Sequence, residues 1–162
     1  MADGDLIVEK VRAMIPFDDR YINRVYGVTQ NSQRERAWRR FADGNIDVRT
    51  LRYCSNVTEI EGLEVPVDIF TLTVCTSMKA SNYKVILVLK VEDCTPLPAP
   101  CTQCECPDGK GFCSHTLAFL IFIRMCQKFP QWTFQDLVKR IMPEPIRSAM
   151  SIPVPLVTMF RS

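Results

Sequence analysis

The sequence predicts an α+β protein in which helices flank an antiparallel sheet. Apolar residues recur at helical spacing up to about Phe41, and from 47 to 94 the period changes to two and β-branched residues dominate. A cysteine-rich segment and a second apolar segment of helix length follow. The 162 residues suffice for one core. We therefore expect one compact domain with three parts: an N-terminal helical segment (1–46), the sheet with a cysteine-rich hairpin and helix (47–128), and a C-terminal helix with a Pro-rich tail (129–162).

Composition and charge limit the class of protein. The longest apolar run, 117–123, is far shorter than the roughly 20 residues that span a bilayer. The acidic start lacks the pattern of a secretory signal. We therefore expect an intracellular protein, nuclear or cytoplasmic, with no membrane span. The net charge of +2 is too small to indicate nucleic-acid binding unless the basic residues cluster.

The N-terminal segment has three stretches of helical spacing. Residues 5–26 predict two short helices that are separated at Pro16. A third helix is expected to start after a cap at Asn31 or Ser32 and to run to about Phe41.

The third helix is predicted to be amphipathic. At 100° per residue, Arg36, Arg39 and Arg40 share one face, and the other carries Ala37, Trp38 and Phe41. The three arginines are candidates for phosphate contacts with nucleic acid. A solvated helix face is the alternative, because acidic neighbours dilute the charge and no aromatic residues interleave for base stacking.

The middle of the chain predicts a three- to four-stranded antiparallel meander. Three runs of strand-like alternation cover 48–58, 65–76 and 83–91, and Glu61-Gly62 separates the first two. The stretch 85–89 is apolar at every position, so the third strand is expected to be central and buried on both faces.

Proline and capping residues predict where the elements after the sheet begin and end. The Pro-rich stretch 95–100 lacks backbone donors, so we expect an unpaired surface connection. Residues 113–128 predict a helix that is apolar almost all round and packs in the core. Thr133 with Asp136 resembles a capping box that opens a last helix ending near Met142.

Cysteine spacing gives the strongest chemical signal. Cys104-x-Cys106 is followed after six residues by Cys113-x-His115, and His115 is the only histidine of the chain. The six intervening residues include Pro, Asp and Gly, which form turns and let the chain reverse. Three thiolates and one imidazole are the ligand set of a closed structural zinc site. We therefore expect one structural zinc ion, with Cys101 as an alternative ligand.

Two other interpretations of these cysteines stay open. Free cysteines are among the most buried side chains, so the group can be ordinary core residues. Disulfide pairing is the other, although a reducing compartment disfavours it.

The spacing resembles the SWIM zinc-finger family. Its pattern is Cys-x-Cys, a variable gap and Cys-x-His, with the ligands at the tip of a β-hairpin and the start of a helix. The resemblance implies that Cys104, Cys106, Cys113 and His115 bind zinc.

A looser likeness covers about residues 41–127. Residues 41–46, the stretch 77–79 followed by Tyr83, and Cys106-Pro107 with Gly109 look like the SWIM segments of animal and transposon-associated proteins. Some of those segments precede a YqaJ-type exonuclease, which implies a link to transposons or nucleases.

Catalytic patterns are missing from the sequence. A Cys-His nucleophile pair would need His115, which the metal site already uses, and no Glu-x-Lys motif of a nuclease occurs. Neither Gly-rich phosphate fingerprint is present. We expect no catalytic residues and no small-molecule substrate. The acidic cluster Glu59, Glu61, Glu64 and Asp68 is either a hard-cation site or a solvated turn.

The sequence therefore predicts a non-enzymatic, zinc-stabilised SWIM-type module that binds nucleic acid, a protein partner, or both. One alternative is a pure protein-interaction adaptor that uses the apolar tail 152–157 and the zinc hairpin. Another is a non-catalytic subunit or remnant of a nuclease.

Overall fold

A computed structural model of the chain describes residues 3–26, 35, 37, 39, 46–75, 82–98, 100–106 and 113–141. Its named elements are α1 (Asp3–Arg12), α2 (Asp19–Tyr26), β1 (Ile46–Ile60), β2 (Leu63–Cys75), β3 (Asn82–Lys90), β4 (Gln103–Cys104), α3 (Ser114–Lys128) and α4 (Phe134–Ile141). The predicted α+β class is confirmed. No helix in these ranges is long and apolar enough to cross a membrane.

The strands form one antiparallel meander in the order β1-β2-β3-β4. β1 and β2 are longer than β3, so residues 57–66 extend past it as a two-stranded ribbon. A two-residue turn closes this ribbon, with positive φ angles of 51° at Glu61 and 81° at Gly62. Val57 pairs with Pro66 and Ile60 with Leu63, which fixes the face on which each side chain lies.

Different parts of the chain pack against the two faces of the sheet. One face packs against the helices and forms the large core, to which Phe70, Leu72 and Leu87 contribute. The other face carries a small cluster of Val67, Val88 and Leu97, which includes no described helical residue. The central strand β3 thus has buried side chains on both faces, as predicted.

The helix α3 is buried on nearly all sides, which confirms the prediction from its composition. Leu117, Phe119, Leu120, Phe122 and Ile123 are each fully inaccessible to solvent. At its C-terminal end Gln127 and Phe129 are half-buried, so the last carbonyl groups have limited access to water and need partners within the protein.

Arg12, the last residue of α1, binds the carbonyl groups at the C-terminal end of α3. Its Nε donates to the Cys126 carbonyl at 2.8 Å, and one terminal nitrogen donates to Phe129 at 2.9 Å and Trp132 at 2.6 Å. A cation is also the favoured charge at this end of the helix dipole. Arg12 therefore caps α3 from a distant part of the sequence.

The Pro-rich connection corrects one prediction. Pro96 forms an isolated bridge with Leu89, and the backbone N–H of Leu97 donates to the Val88 carbonyl at 2.8 Å. Pro96 and Leu97 are buried. The expectation of an unpaired surface connection was wrong here, because proline lacks only its own donor and its neighbours supply the hydrogen bonds.

The capping box at the start of α4 is confirmed. The backbone N–H of Asp136 donates to the Thr133 hydroxyl at 3.1 Å, and that of Thr133 donates to the Asp136 carboxylate at 2.9 Å. The predicted end near Met142 and the Pro-rich tail lie outside the described residues.

We predict that Arg12→Ala lowers the free energy of unfolding by about 2 to 4 kcal/mol, because three partly buried carbonyl groups lose a charged donor. Arg12→Lys should recover only part of this stability, since a compact ammonium group cannot bind all three. Urea denaturation measures the effect. Arg39→Ala, at an exposed helical position, is the control and should change stability little. Equal effects of both substitutions would contradict the capping role.

Candidate metal centre

Four residues from two elements converge at one end of the sheet. Cys104 lies on β4 opposite Val85, and Cys106 follows two residues later. Cys113 directly precedes α3, and His115 lies in its first turn. The connection 107–112, where the sequence predicts a hairpin turn, lies outside the described residues.

Backbone pairing holds the first two cysteines in place. The N–H of Glu105, which lies between them, donates to the Lys84 carbonyl at 3.2 Å. The N–H of Lys84 in turn donates to the Glu105 carboxylate at 2.7 Å. β4 is thereby fixed against β3 despite its length of two residues.

The geometry of the four side chains suits one metal ion. Cys104, Cys106, Cys113 and His115 are all buried, and their ligand atoms lie within 4.8 Å of one another. The Cys113 sulfur lies 3.6 Å from Nδ1 of His115. Tetrahedral coordination at ordinary bond lengths places sulfur and nitrogen about 3.6 Å apart. The group can therefore hold one metal ion and is compatible with a zinc finger.

The second ring nitrogen of His115 is also buried. This atom, Nε2, has no hydrogen-bond partner within the described residues. The rings of Tyr83 and His115 meet edge to face, with the centroids 5.0 Å apart. One ion binds only one ring nitrogen, so an ion at Nδ1, the nitrogen beside the Cys113 sulfur, would leave Nε2 without a partner, and only an ion at Nε2 would remove the cost of burying it.

The electrostatics of the cysteines favour a thiolate at Cys113. A hydrogen bond from Cys104 lowers the pKa of the Cys113 thiol, and contacts with His115 and Thr116 lower it further, although burial opposes them. The pKa of Cys104 is raised because this thiol keeps the proton of the pair and is buried. Burial and then the charges of Cys113 and Cys106 also raise the pKa of Tyr26 at the end of α2. A bound cation would stabilise the thiolates in this group.

Comparisons with known proteins give no match for this chain. No family model, curated protein or solved structure matches it. The resemblance to SWIM zinc fingers therefore rests on the four residues of the candidate centre and their spacing.

The structure bears on the alternative interpretations of the cysteines, which were disulfide pairing, Cys101 as a ligand and ordinary core packing. The described cysteines with placed side chains are free thiols, so no disulfide forms among them. Cys101 packs against the small cluster on the opposite face and is not part of the metal-binding group. Burial alone would also fit core cysteines, but the convergence of three of them on a buried histidine is not explained by core packing.

Arg39 is the one predicted phosphate-binding residue whose environment the structure describes. It has helical backbone and is exposed, whereas Ala37 is fully buried, which agrees with the predicted amphipathic helix. Arg36 and Arg40 lie outside the described residues.

The acidic cluster does not come together as a cation site among the described residues. Glu59 and Glu64 face each other across the ribbon. The buried Asp68 instead accepts a hydrogen bond from the Tyr53 hydroxyl at 2.7 Å and pairs with Lys10 at 3.2 Å. Sequence reasoning missed this internal contact, because its partners come from α1 and two different strands.

We predict that the purified protein binds one divalent metal ion per chain and that Cys106→Ser weakens this binding strongly. Removal of one of four ligands leaves an incomplete and partly protonated set. Native mass spectrometry and titration with cobalt, whose absorption reports thiolate coordination, measure it. Cys54→Ser removes an exposed thiol outside the group and is the control. Unchanged metal binding in Cys106→Ser would exclude the proposed centre.

The contact between Tyr53 and Asp68 predicts a response to alkaline pH. Burial and the hydrogen bond to Asp68 raise the pKa of Tyr53 from 10.0 to about 12. The stability that this contributes is complete below pH 10.0, the unfolded value, and disappears as the pH rises towards about 12.

The free energy of unfolding should therefore fall more steeply across that pH range in the wild type than in Tyr53→Phe. Urea denaturation at several pH values, with ultraviolet absorbance of ionised tyrosine, tests this. Parallel pH profiles for the two proteins would refute the assignment.

Proposed function

We propose that this chain is a non-enzymatic SWIM-type module in which one zinc ion has a structural role. The convergence of four buried ligand residues on one point carries this proposal. Sulfur ligands favour zinc over magnesium or calcium, and four protein ligands leave no open position for water or substrate. X-ray absorption at the zinc edge, showing three sulfur and one nitrogen neighbours, would support it, and an oxygen-rich shell would overturn it.

Zinc in this place would link two parts of the fold. His115 lies two residues before Leu117, which is fully buried in the large core. A metal bound between β4 and the start of α3 would set the angle at which the helix enters the core. Structural zinc contributes on the order of 10 kcal/mol in small peptides. Because this domain has its own hydrophobic core, the metal should contribute less to its free energy of unfolding than it does in those peptides.

The proposed ligand of the module is nucleic acid. The basic face of the third N-terminal helix would contact phosphates, and the exposure of Arg39 supports this. The implied compartment is the nucleus or cytoplasm, where reduced thiols are available to bind metal. The SWIM resemblance adds an association with transposons or nucleases, and a non-catalytic subunit or remnant of a nuclease is one form of it.

A protein-interaction adaptor is the second candidate. It is favoured by the sheet face that carries no described helix and displays partly exposed apolar side chains. The apolar tail 152–157, which the sequence also suggested as a contact surface, lies outside the described residues.

We predict that replacing Arg36, Arg39 and Arg40 together by Ala weakens binding to double-stranded DNA. The plot of log affinity against log salt should become less steep by about 0.9 for each phosphate that the variant no longer neutralises. Fluorescence anisotropy at several salt concentrations measures both quantities.

The control removes the same charge from exposed positions elsewhere, with Arg20, Lys128 and Lys139 replaced by Ala. If both triple variants weaken DNA binding equally, the helix is only a solvated face. If the wild type does not bind DNA, the adaptor is the better proposal.

A further inference from the structure

Tyr83 on β3 lies beside the candidate metal centre. β3 and β4 pair antiparallel, and the pairing continues past the end of β4, because the N–H of Glu105 donates to the Lys84 carbonyl at 3.2 Å. The same register, continued by one residue, places Tyr83 opposite Cys106. Side chains at opposite positions of two antiparallel strands lie on the same face and are close neighbours. Tyr83 is therefore next to one of the proposed ligands.

The aromatic ring of Tyr83 also contacts a second ligand residue, His115. The centroids of the two rings are 5.0 Å apart, and their planes are inclined by 64°, which is an edge-to-face contact. The side chain of Tyr83 is partly buried and packs against the large core. Tyr83 thus lies next to both ligand pairs, the one before the connection 107–112 and the one after it.

The two ring nitrogens of His115 have different surroundings. Nδ1 lies 3.6 Å from the Cys113 sulfur, which is about the separation of a sulfur and a nitrogen on one tetrahedral ion. Nε2 is buried, and no group in the part of the chain that the structure describes forms a hydrogen bond with it. Nδ1 is therefore the nitrogen that is placed to share an ion with Cys113.

Coordination through Nδ1 leaves the proton of the neutral imidazole on Nε2. A histidine that binds a metal generally donates its other ring N–H to a second group, and a buried N–H without an acceptor is costly. The π face of an aromatic ring accepts a weak hydrogen bond from an N–H, and an edge-to-face contact allows it. The ring of Tyr83 can therefore offset part of the cost of burying Nε2.

We propose that His115 binds the metal ion through Nδ1 and donates its Nε2–H to the aromatic face of Tyr83. Tyr83 is then a positioning residue, because it does not touch the ion and instead fixes the plane of the imidazole ring. This inference rests on the proposed function, since it needs a metal ion in the centre. It adds to the centre a residue of the central strand β3, which the Cys-x-Cys and Cys-x-His pairs do not include.

The first test identifies the coordinating nitrogen in the full chain. The chain is loaded with cadmium, which binds the same soft ligands as zinc, and both cadmium and nitrogen are supplied as NMR-active isotopes. Because His115 is the only histidine, every imidazole signal belongs to it. We expect spin coupling between cadmium and Nδ1, and a proton on Nε2. Coupling between cadmium and Nε2 would overturn the proposal.

The Nε2 proton reports the contact with Tyr83. A proton above the face of an aromatic ring is shifted upfield by the ring current, so we expect an upfield signal in the wild type. Tyr83→Phe keeps the ring and should keep this shift, whereas Tyr83→Leu should lose it. A signal at the same position in Tyr83→Leu and in the wild type would contradict the hydrogen bond to the ring.

Metal affinity, measured by competition with a chelator, gives the matched comparison. Tyr83→Leu should weaken metal binding at least about tenfold, because loss of a group that orients a ligand costs about 10- to 100-fold in affinity. Tyr83→Phe should change it less than about twofold. The control is Tyr53→Leu, which removes a partly buried tyrosine whose ring packs on Phe70 at 4.9 Å. It should change metal affinity less than about twofold, since distant sites act independently.

The outcomes separate this inference from the zinc module. Equal metal affinities of Tyr83→Leu and Tyr53→Leu, or coordination through Nε2, would refute the role of Tyr83 and leave the zinc module standing. A wild-type chain that binds no metal would refute both. If Tyr83→Leu does not fold, the cadmium coupling and the position of the Nε2 proton in the wild type still decide, because neither needs a substitution.

Discussion

The near-complete burial of α3 is the constraint on which the rest of the structure depends. A helix that is apolar on nearly all sides can be covered only if other elements pack around it, and its terminal backbone groups then have limited access to water. At its C-terminal end, Arg12 binds three carbonyl groups. Gln127 connects the same end to the last turn of α1 and the segment after it, because its amide donates to Val11 and Ile15 and accepts from Phe17. At its N-terminal end lies the Cys/His group.

The candidate metal centre is thus the counterpart of the Arg12 contact at the other end of the same helix. Cys113 occupies the N-cap position, where the helix dipole favours negative charge such as a thiolate. A cation shared with Cys104 would neutralise that charge and connect the helix to β4. Since β4 pairs with β3 through only two residues, this connection would strengthen the weakest edge of the sheet.

Sequence patterns that span only a few neighbouring residues predicted most of the fold. Alternation and the Glu61-Gly62 turn located the strands to within about two residues, and the Thr133–Asp136 box located the last helix. The four Cys/His residues could be grouped from sequence because their spacing is itself the signal. The roles of Arg12 and Gln127 could not be predicted, since both depend on partners more than 100 residues away. The pairing at Pro96 was missed because its donors belong to neighbouring residues.

The Arg12 contact has a consequence for the order in which the chain folds. Its partners are 114 to 120 residues further along the sequence, so the hydrogen bonds close a loop of most of the protein. Contacts of such separation form late, because loop-closure entropy must be offset first. During synthesis, α1 would leave the ribosome long before α3 exists, and its apolar side would stay uncovered in the meantime. The nascent chain is therefore most vulnerable to aggregation until residue 132 has emerged.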